Sequence, residues 1–249
     1  MTTVVTRRER QREATYDEIV KVSRDLLRAD AELSLRAVAK AMGVTAPALY
    51  RYVANYQELV DLVAFEIDKA ATDEFRAAGD TQAEDDFAGQ LICASVAFRH
   101  WALTNPREFS LVFANPVADS NCVRREMLTA DSSGHYFTDL LRLLWEQTGF
   151  RIPSLDELPA SVVEVVTDPL IPAKVDGIAQ HHRGLVWVFM EGWTTLYGVV
   201  ALEVFGHMDP RMIASGEMFV HSVRLFGERI GLTDDWPRLE KLLRARLTA

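Results

Sequence analysis

Residues 34–53 read Ser34-Leu35-Arg36-Ala37-Val38-Ala39-Lys40-Ala41-Met42-Gly43-Val44-Thr45-Ala46-Pro47-Ala48-Leu49-Tyr50-Arg51-Tyr52-Val53. Leu35, Val38, Ala39 and Met42 recur at helical spacing behind Ser34, a residue type that caps helix N-termini. Gly43 suits the left-handed residue that ends a helix. Thr45 is a second cap. Pro47 falls in the first turn of the next helix, where a missing N–H costs little. The spacing predicts two short helices joined by a tight glycine turn, a helix-turn-helix. Ala39 is small where the helices must approach, and Val44 and Leu49 are expected to plug the angle between them. Thr45, Ala46, Pro47, Tyr50, Arg51 and Tyr52 remain on the outer side of the second helix, with Arg36 on the first. Hydroxyls, methyls, rings and cations of this kind can contact base edges and phosphates in a major groove. An αα corner inside an ordinary helical protein has the same pattern, so helix-Gly-helix alone leaves both readings open.

Upstream, Tyr16, Ile19, Val20, Ser23, Leu26 and Leu27 mark one face of a preceding helix, behind Arg7, Arg8, Arg10 and Arg12, which can lie along a nucleic-acid backbone. Downstream, Asn55 and Glu58 form a capping-box-like pair that opens a helix over about 55–77. The chain has 249 residues with 27 Lys/Arg and 36 Asp/Glu, a net charge of -9. Residues 1–56 carry ten Lys/Arg against seven Asp/Glu, so a basic head stands on an acidic body over 57–249. A globally basic nucleic-acid coat protein is excluded; a local basic patch is not.

The body reads as further helices: 87–105, 106–114, one around Tyr136–Trp145 stopped at Gly149, 175–206, 211–231 and a polar helix over 234–247. Residues 115–134 read as partly loop. Residues 151–173, with Pro153, Pro159, Pro169 and Pro172, read as a connection holding at most one short helix. The fold class expected is all-α: a three-helix head at 1–56 joined to a larger helical body at 57–249. The apolar stretch at 184–205 contains Glu191 and Glu203, which argues for a buried helix rather than a membrane span. Two cysteines, Cys93 and Cys122, support neither a disulfide framework nor a cysteine zinc site, and a reducing cytoplasm is the expected location. Cys122 stands beside Arg124 and Arg125, a weak signal for a reactive thiol.

The run 34–53 resembles the DNA-binding domain of the TetR family of bacterial repressors. Ala39, Gly43, Val44, Thr45, Leu49, Tyr50 and the pair Glu58-Leu59 match, and the resemblance covers about residues 14–65. It implies binding of a double-stranded DNA operator, transcription regulation and an effector-holding body. Two positions depart from the family pattern. Val53 stands where phenylalanine is usual, and Tyr56 where a phosphate-binding lysine is frequent. Tyr56 can still donate a hydroxyl, without charge. The segment 191–206 is similar to the Trp-x3-His-Gly segment of one branch of TetR-like C-terminal domains, with Tyr197 in place of the histidine. That branch dimerises through its last two long helices. The resemblance therefore implies a homodimer interface including Phe189, Leu196, Gly198, Val200, Phe219, Val223 and Phe226.

Enzyme signatures are missing: no P-loop, no G-x-S-x-G, no H-E-x-x-H and no G-x-G-x-x-G occur. Glu203/His207 and Glu217/His221 are i, i+4 pairs, but two ligands do not make a metal site. No catalysis, cofactor, metal or membrane partner is expected. The aromatic residues Phe98, Trp101, Phe109, Phe113, Phe137 and Trp145, with His100 as a polar donor, either pack as ordinary core or line a pocket for a small, largely apolar effector. The leading reading is an effector-released repressor. The alternatives are a small-molecule-binding helical protein with little operator affinity, hinted at by Tyr56, and an enzyme on a helical bundle.

Overall fold

The structure, a computed structural model, describes residues 6–114, 132–169, 175 and 177–248. Among these residues the regular structure is helical, with no strand. The helices are α1 (Arg7–Arg28), α2 (Leu35–Ala41), α3 (Ala46–Leu49), α4 (Tyr56–Gly79), α5 (Phe87–Thr104), α6 (Pro106–Phe109), α7 (Ser133–Thr148), α8 (Ala160–Thr167), α9 (Gly184–Val204), α10 (Pro210–Ser215), α11 (Glu217–Arg229) and α12 (Trp236–Leu247). A π-helical turn, Ser110–Ala114, follows α6 directly. Cys122 and most of the loop expected over 115–134 lie outside the described residues.

The chain divides into two compact units, one of Met1–Asp68 with Asn105–Arg124 and one of Lys69–Thr104 with Arg125–Ala249. The boundary expected after residue 56 stands at the start of α4, whereas the two units divide within that helix, between Asp68 and Lys69. Leu59, Val60, Val63 and Ile67 of that helix are buried and belong to the first unit. Residues 105–114 belong there because Glu108 of α6 is buried and held by α1. Arg24 donates to both Glu108 carboxylate oxygens at 3.0 Å, and Arg28 Nε stands 3.2 Å from Oε1. Asp30, in the left-handed region at φ 55°, pairs with Arg107.

The second unit is built around an aromatic knot. Phe75 meets Phe98, Trp101 and Phe137 at ring separations of 5.6, 6.0 and 6.1 Å, the first two edge-on. Edge-to-face contacts suit the ring quadrupoles and add to the burial of apolar area. Across α5, α9 and α10, Arg99 donates to Glu203 (Nε–Oε2 2.6 Å) and to the Ile213 carbonyl oxygen (2.6 Å). Burial pushes the Glu203 carboxyl up, against the pull of Arg99.

In the second unit three helices differ from expectation. The helix expected from 175 begins at Gly184, because Gln180–His182 forms a separate 3-10 turn. The single helix expected over 211–231 is broken at Gly216, which sits at φ +67°, a conformation glycine adopts without strain. The C-terminal helix, expected as polar, is built into the unit: Trp236, Leu239 and Leu243 are buried, Arg238 pairs with Asp86 at 2.7 Å, and Arg244 with Glu217 at 2.7 Å. By length and composition alone, Gln180–Val204 is the one helix among the described residues that could cross a membrane; its Leu185, Val186, Val188, Phe189, Val199 and Val200 are buried in the second unit.

Candidate nucleic-acid interface

The recognition face is assembled by caps and turns. The Ala37 N–H donates to Ser34 Oγ at 3.2 Å and starts α2. At its other end Gly43 takes φ +68°. The Val44 N–H donates to the Ala39 carbonyl oxygen at 3.0 Å and the Gly43 N–H to that of Lys40 at 3.2 Å, the bonding of a Schellman turn. Nothing lies within 4 Å of the place a Cβ would take at Gly43, so the demand for glycine is one of backbone conformation. Leu49 plugs the interhelical angle as expected, being buried. Val44 does not: its side chain is exposed, and its contribution to the turn is the main-chain bond to Ala39.

α3 is shorter than expected. Past Leu49 the Tyr52 N–H reaches back three residues to the Leu49 carbonyl oxygen at 2.9 Å, and the backbone tightens out of α geometry. Thr45 precedes α3 without a side-chain capping bond, so its hydroxyl remains exposed. Arg36, Pro47, Tyr50 and Arg51 are exposed too, and Ala46 is half-buried. Tyr50 and Tyr56 are each 51% exposed, conspicuous for large rings. At the start of α4 the Glu58 N–H donates to Asn55 Oδ1 at 2.9 Å, and the Ala54 N–H to Glu58 Oε2.

Tyr52 departs from its expected role. Its ring meets Tyr16 edge-on at 5.6 Å, and the Tyr16 hydroxyl donates to the Tyr52 carbonyl oxygen at 3.2 Å. Arg12 in turn donates to the Tyr16 hydroxyl at 3.1 Å. Tyr52 therefore braces the recognition turn against α1 and does not offer a free ring. Tyr16 and Arg12 enter the site through this brace. The sequence signals Tyr16 only as part of an apolar face, since its partner lies 36 residues away. This surface thus gathers the Thr45 hydroxyl, the two exposed tyrosines Tyr50 and Tyr56, and the cations Arg36 and Arg51. Groups of these kinds can donate hydrogen bonds to phosphates and base acceptors and present methyls to thymine.

The residues expected to line an effector pocket are split. Phe98, Trp101 and Phe137 come together, but as the packed knot around Phe75, which sequence reading did not single out. Trp193 also packs on Phe98 at 5.8 Å. Trp145 lies instead against His182 at 4.8 Å. Phe109 and Phe113 meet at 5.3 Å in the first unit. His100 is exposed and does not enter the knot, lying on the opposite side of α5 from the buried Phe98 and Trp101.

The residues expected at a dimer interface are split as well. Phe189, Val200 and Phe219 are buried within the second unit itself. Phe226 is half-buried against Gly192, where an added Cβ would stand 2.6 Å from its ring. Leu196 and Val223 are half-buried. Gly198 has nothing within 4 Å of its Cβ position. It shares an open face of α9 with Thr194, Leu202 (43% exposed) and Phe205 (42%), while α11 offers Met218 and Leu225 (51%). The two i, i+4 pairs are otherwise engaged: Glu203 by Arg99 and Glu217 by Arg244.

A family model described as tetracyclin repressor-like, C-terminal domain, matches residues 91–226. The chain is 34% identical over 234 residues to the HTH-type transcriptional regulators Mb1846 of Mycobacterium bovis and Rv1816 of Mycobacterium tuberculosis, covering 89% of this chain and 94% of each relative. A solved structure described as regulatory, SCO4313, matches with a TM-score of 0.53 at 23% identity, covering 96% of this chain and 99% of that one. At that identity the match speaks to the all-α fold.

Proposed function

The chain belongs to the TetR family of transcriptional regulators, and from that premise we propose that it binds operator DNA as a homodimer in the cytoplasm and represses transcription until a small effector releases it. The observation that carries the DNA reading is the exposed row Thr45, Pro47, Tyr50 and Arg51, held by a Schellman turn on one side and the Tyr16–Tyr52 brace on the other. Arg36 of α2 and Tyr56 of α4 flank it, and Ala46 adds a methyl. The dimer reading is supported by the uncovered apolar face of α9 and α11. Two heads in a dimer must reach major grooves about 34–36 Å apart.

The test of operator binding is fluorescence anisotropy with DNA from beside the gene, at several salt concentrations. Tyr50→Ala and Arg51→Ala each weaken binding. Arg51→Ala also lowers the log–log salt slope by about one, the loss of one phosphate-contacting cation. Equal affinities for wild type and both variants at one salt concentration refute the assignment. A wild type that binds no DNA from that region, yet binds small molecules, favours the alternative of a helical binding protein without operator affinity.

The effector half of the reading rests on the aromatic knot of the second unit. Phe98, Trp101 and Phe137 are packed, so an apolar effector entering there displaces a ring, and tryptophan fluorescence reports it. Phe98→Ala combined with Trp101→Ala abolishes release by such an effector and leaves operator affinity unchanged.

A further inference from the structure

We propose that the first unit carries its own ligand site, a cleft that takes a monocationic amphiphile and whose occupation opposes DNA binding. The cleft has a volume of about 510 Å³, within the range of small-molecule sites, roughly 300–1,000 Å³. Its apolar wall is made by Leu27 at the end of α1, Leu33 before α2, and Leu111 of the π turn. Tyr56, at the first position of α4, contributes an aromatic wall.

Charge decides the class of ligand. Asp30 and Arg107 line the same cleft but neutralise each other as an ion pair. Glu32, also in the lining, makes no ion pair among the described residues. Glu32 and the exposed ring of Tyr56 thus both line the cleft. A quaternary ammonium is attracted by both: by the charge of Glu32 and by the face of Tyr56, within about 6 Å of its centre. An alkyl body then covers the leucines. An anion meets Glu32 unfavourably, and a neutral alcohol gains only the apolar part.

The surrounding geometry fits a ligand site. The wall formed by Ser110–Ala114 is π-helical, a rare conformation that recurs at functional positions. Asp30 takes its left-handed backbone as the residue that ends α1, the Ala31 N–H donating to the Leu26 carbonyl oxygen at 2.9 Å, and so fixes the rim of the cleft.

Tyr56 belongs both to this cleft and to the proposed DNA face. A ligand that holds its ring competes with its phosphate contact, and linkage makes the effect mutual. Binding itself stands on the cleft alone; the effect on DNA rests on the operator-binding reading.

The experiment is isothermal calorimetry of the full chain with decyltrimethylammonium below its micelle concentration, alongside decanol and decanoate. Saturable binding at one ligand per chain is expected, with decanoate at least about tenfold weaker. Glu32 is exposed, so its variants fold, and circular dichroism checks that they do. Glu32→Gln weakens the cation about three- to fivefold, the measure of one exposed charge contact, and leaves decanol unchanged. Glu32→Lys weakens it further, whereas Lys241→Gln, a charge change on the C-terminal helix of the second unit, has no effect. Equal affinity of wild type and both Glu32 variants overturns the site, as does stronger binding of decanoate. In a second arm, saturation with operator lowers the affinity for the cation; an unchanged affinity overturns the opposition to DNA. If no operator is found, the operator-binding reading fails while the calorimetric result on the cleft stands.

Discussion

Gly43 and Asp86 show how single residues hold this molecule, and for different reasons. Gly43 has open space at its Cβ position, so Gly43→Ala meets no clash. It forces a Cβ into the left-handed region, at a cost of about 1–2 kcal/mol. Gly43→Asn, better tolerated there, costs less than alanine; urea unfolding separates the two, and equal losses contradict a conformational origin. Asp86 does two jobs: the Gly89 N–H donates to its Oδ1 at 2.9 Å, capping α5, and Arg238 donates to both its oxygens at 2.7 and 3.0 Å. The Arg238 hydrogen bonds hold its carboxyl below the ordinary value, against partial burial. A depressed carboxyl contributes stability above the unfolded-state pKa and loses it as pH falls through the folded one. The wild type is therefore expected to lose stability below about pH 4 more steeply than Asp86→Asn, which keeps a cap without the charge. Denaturant midpoints at pH 6 and pH 3.5 measure the difference. Parallel losses in the two proteins refute the assignment.

Helices were legible where their signals are local. Ser34, Gly43, Asn55 with Glu58, and Gly149 all stop or start helices at or within a residue of the expected place. The break at Gly216 was not, because the apolar period runs on across it. Distant groups surround that glycine: Leu247 lies 3.3 Å and Arg99 3.9 Å from its Cβ position. The same limit explains Phe189, Val200 and Phe219. Periodicity says that a stripe is apolar; it does not say whether the same chain or a second copy covers it. Nor does it foresee the pairing of Arg99 with Glu203, 104 residues apart. Glu203→Ala strands the Arg99 charge and is expected to cost about 3 kcal/mol or more, whereas Arg99→Met with Glu203→Leu recovers most of it. A double variant no more stable than the single one would show that the charges themselves are not the burden.

At the scale of the whole molecule, the open Cβ position of Gly198 and the exposed Leu202, Phe205 and Leu225 carry the expectation of a two-fold assembly. Gly198→Arg, or Leu225→Asp, is expected to give folded monomers with weakened operator binding, since one head covers half a site. Light scattering at micromolar concentration reads the mass, and a wild type already monomeric there removes the interface. The recognition element has a different consequence. Its brace ends on the main-chain oxygen of Tyr52, and its caps, Ser34, Gly43 and Asn55, all lie outside residues 45–51. The side chains proposed to meet DNA are thus mechanically separate from those that hold the element in place. Such a partition makes the address rewritable: a lineage, or an engineer, can exchange the letters at 45, 47, 50 and 51 for a new operator while the frame that displays them stays as it is.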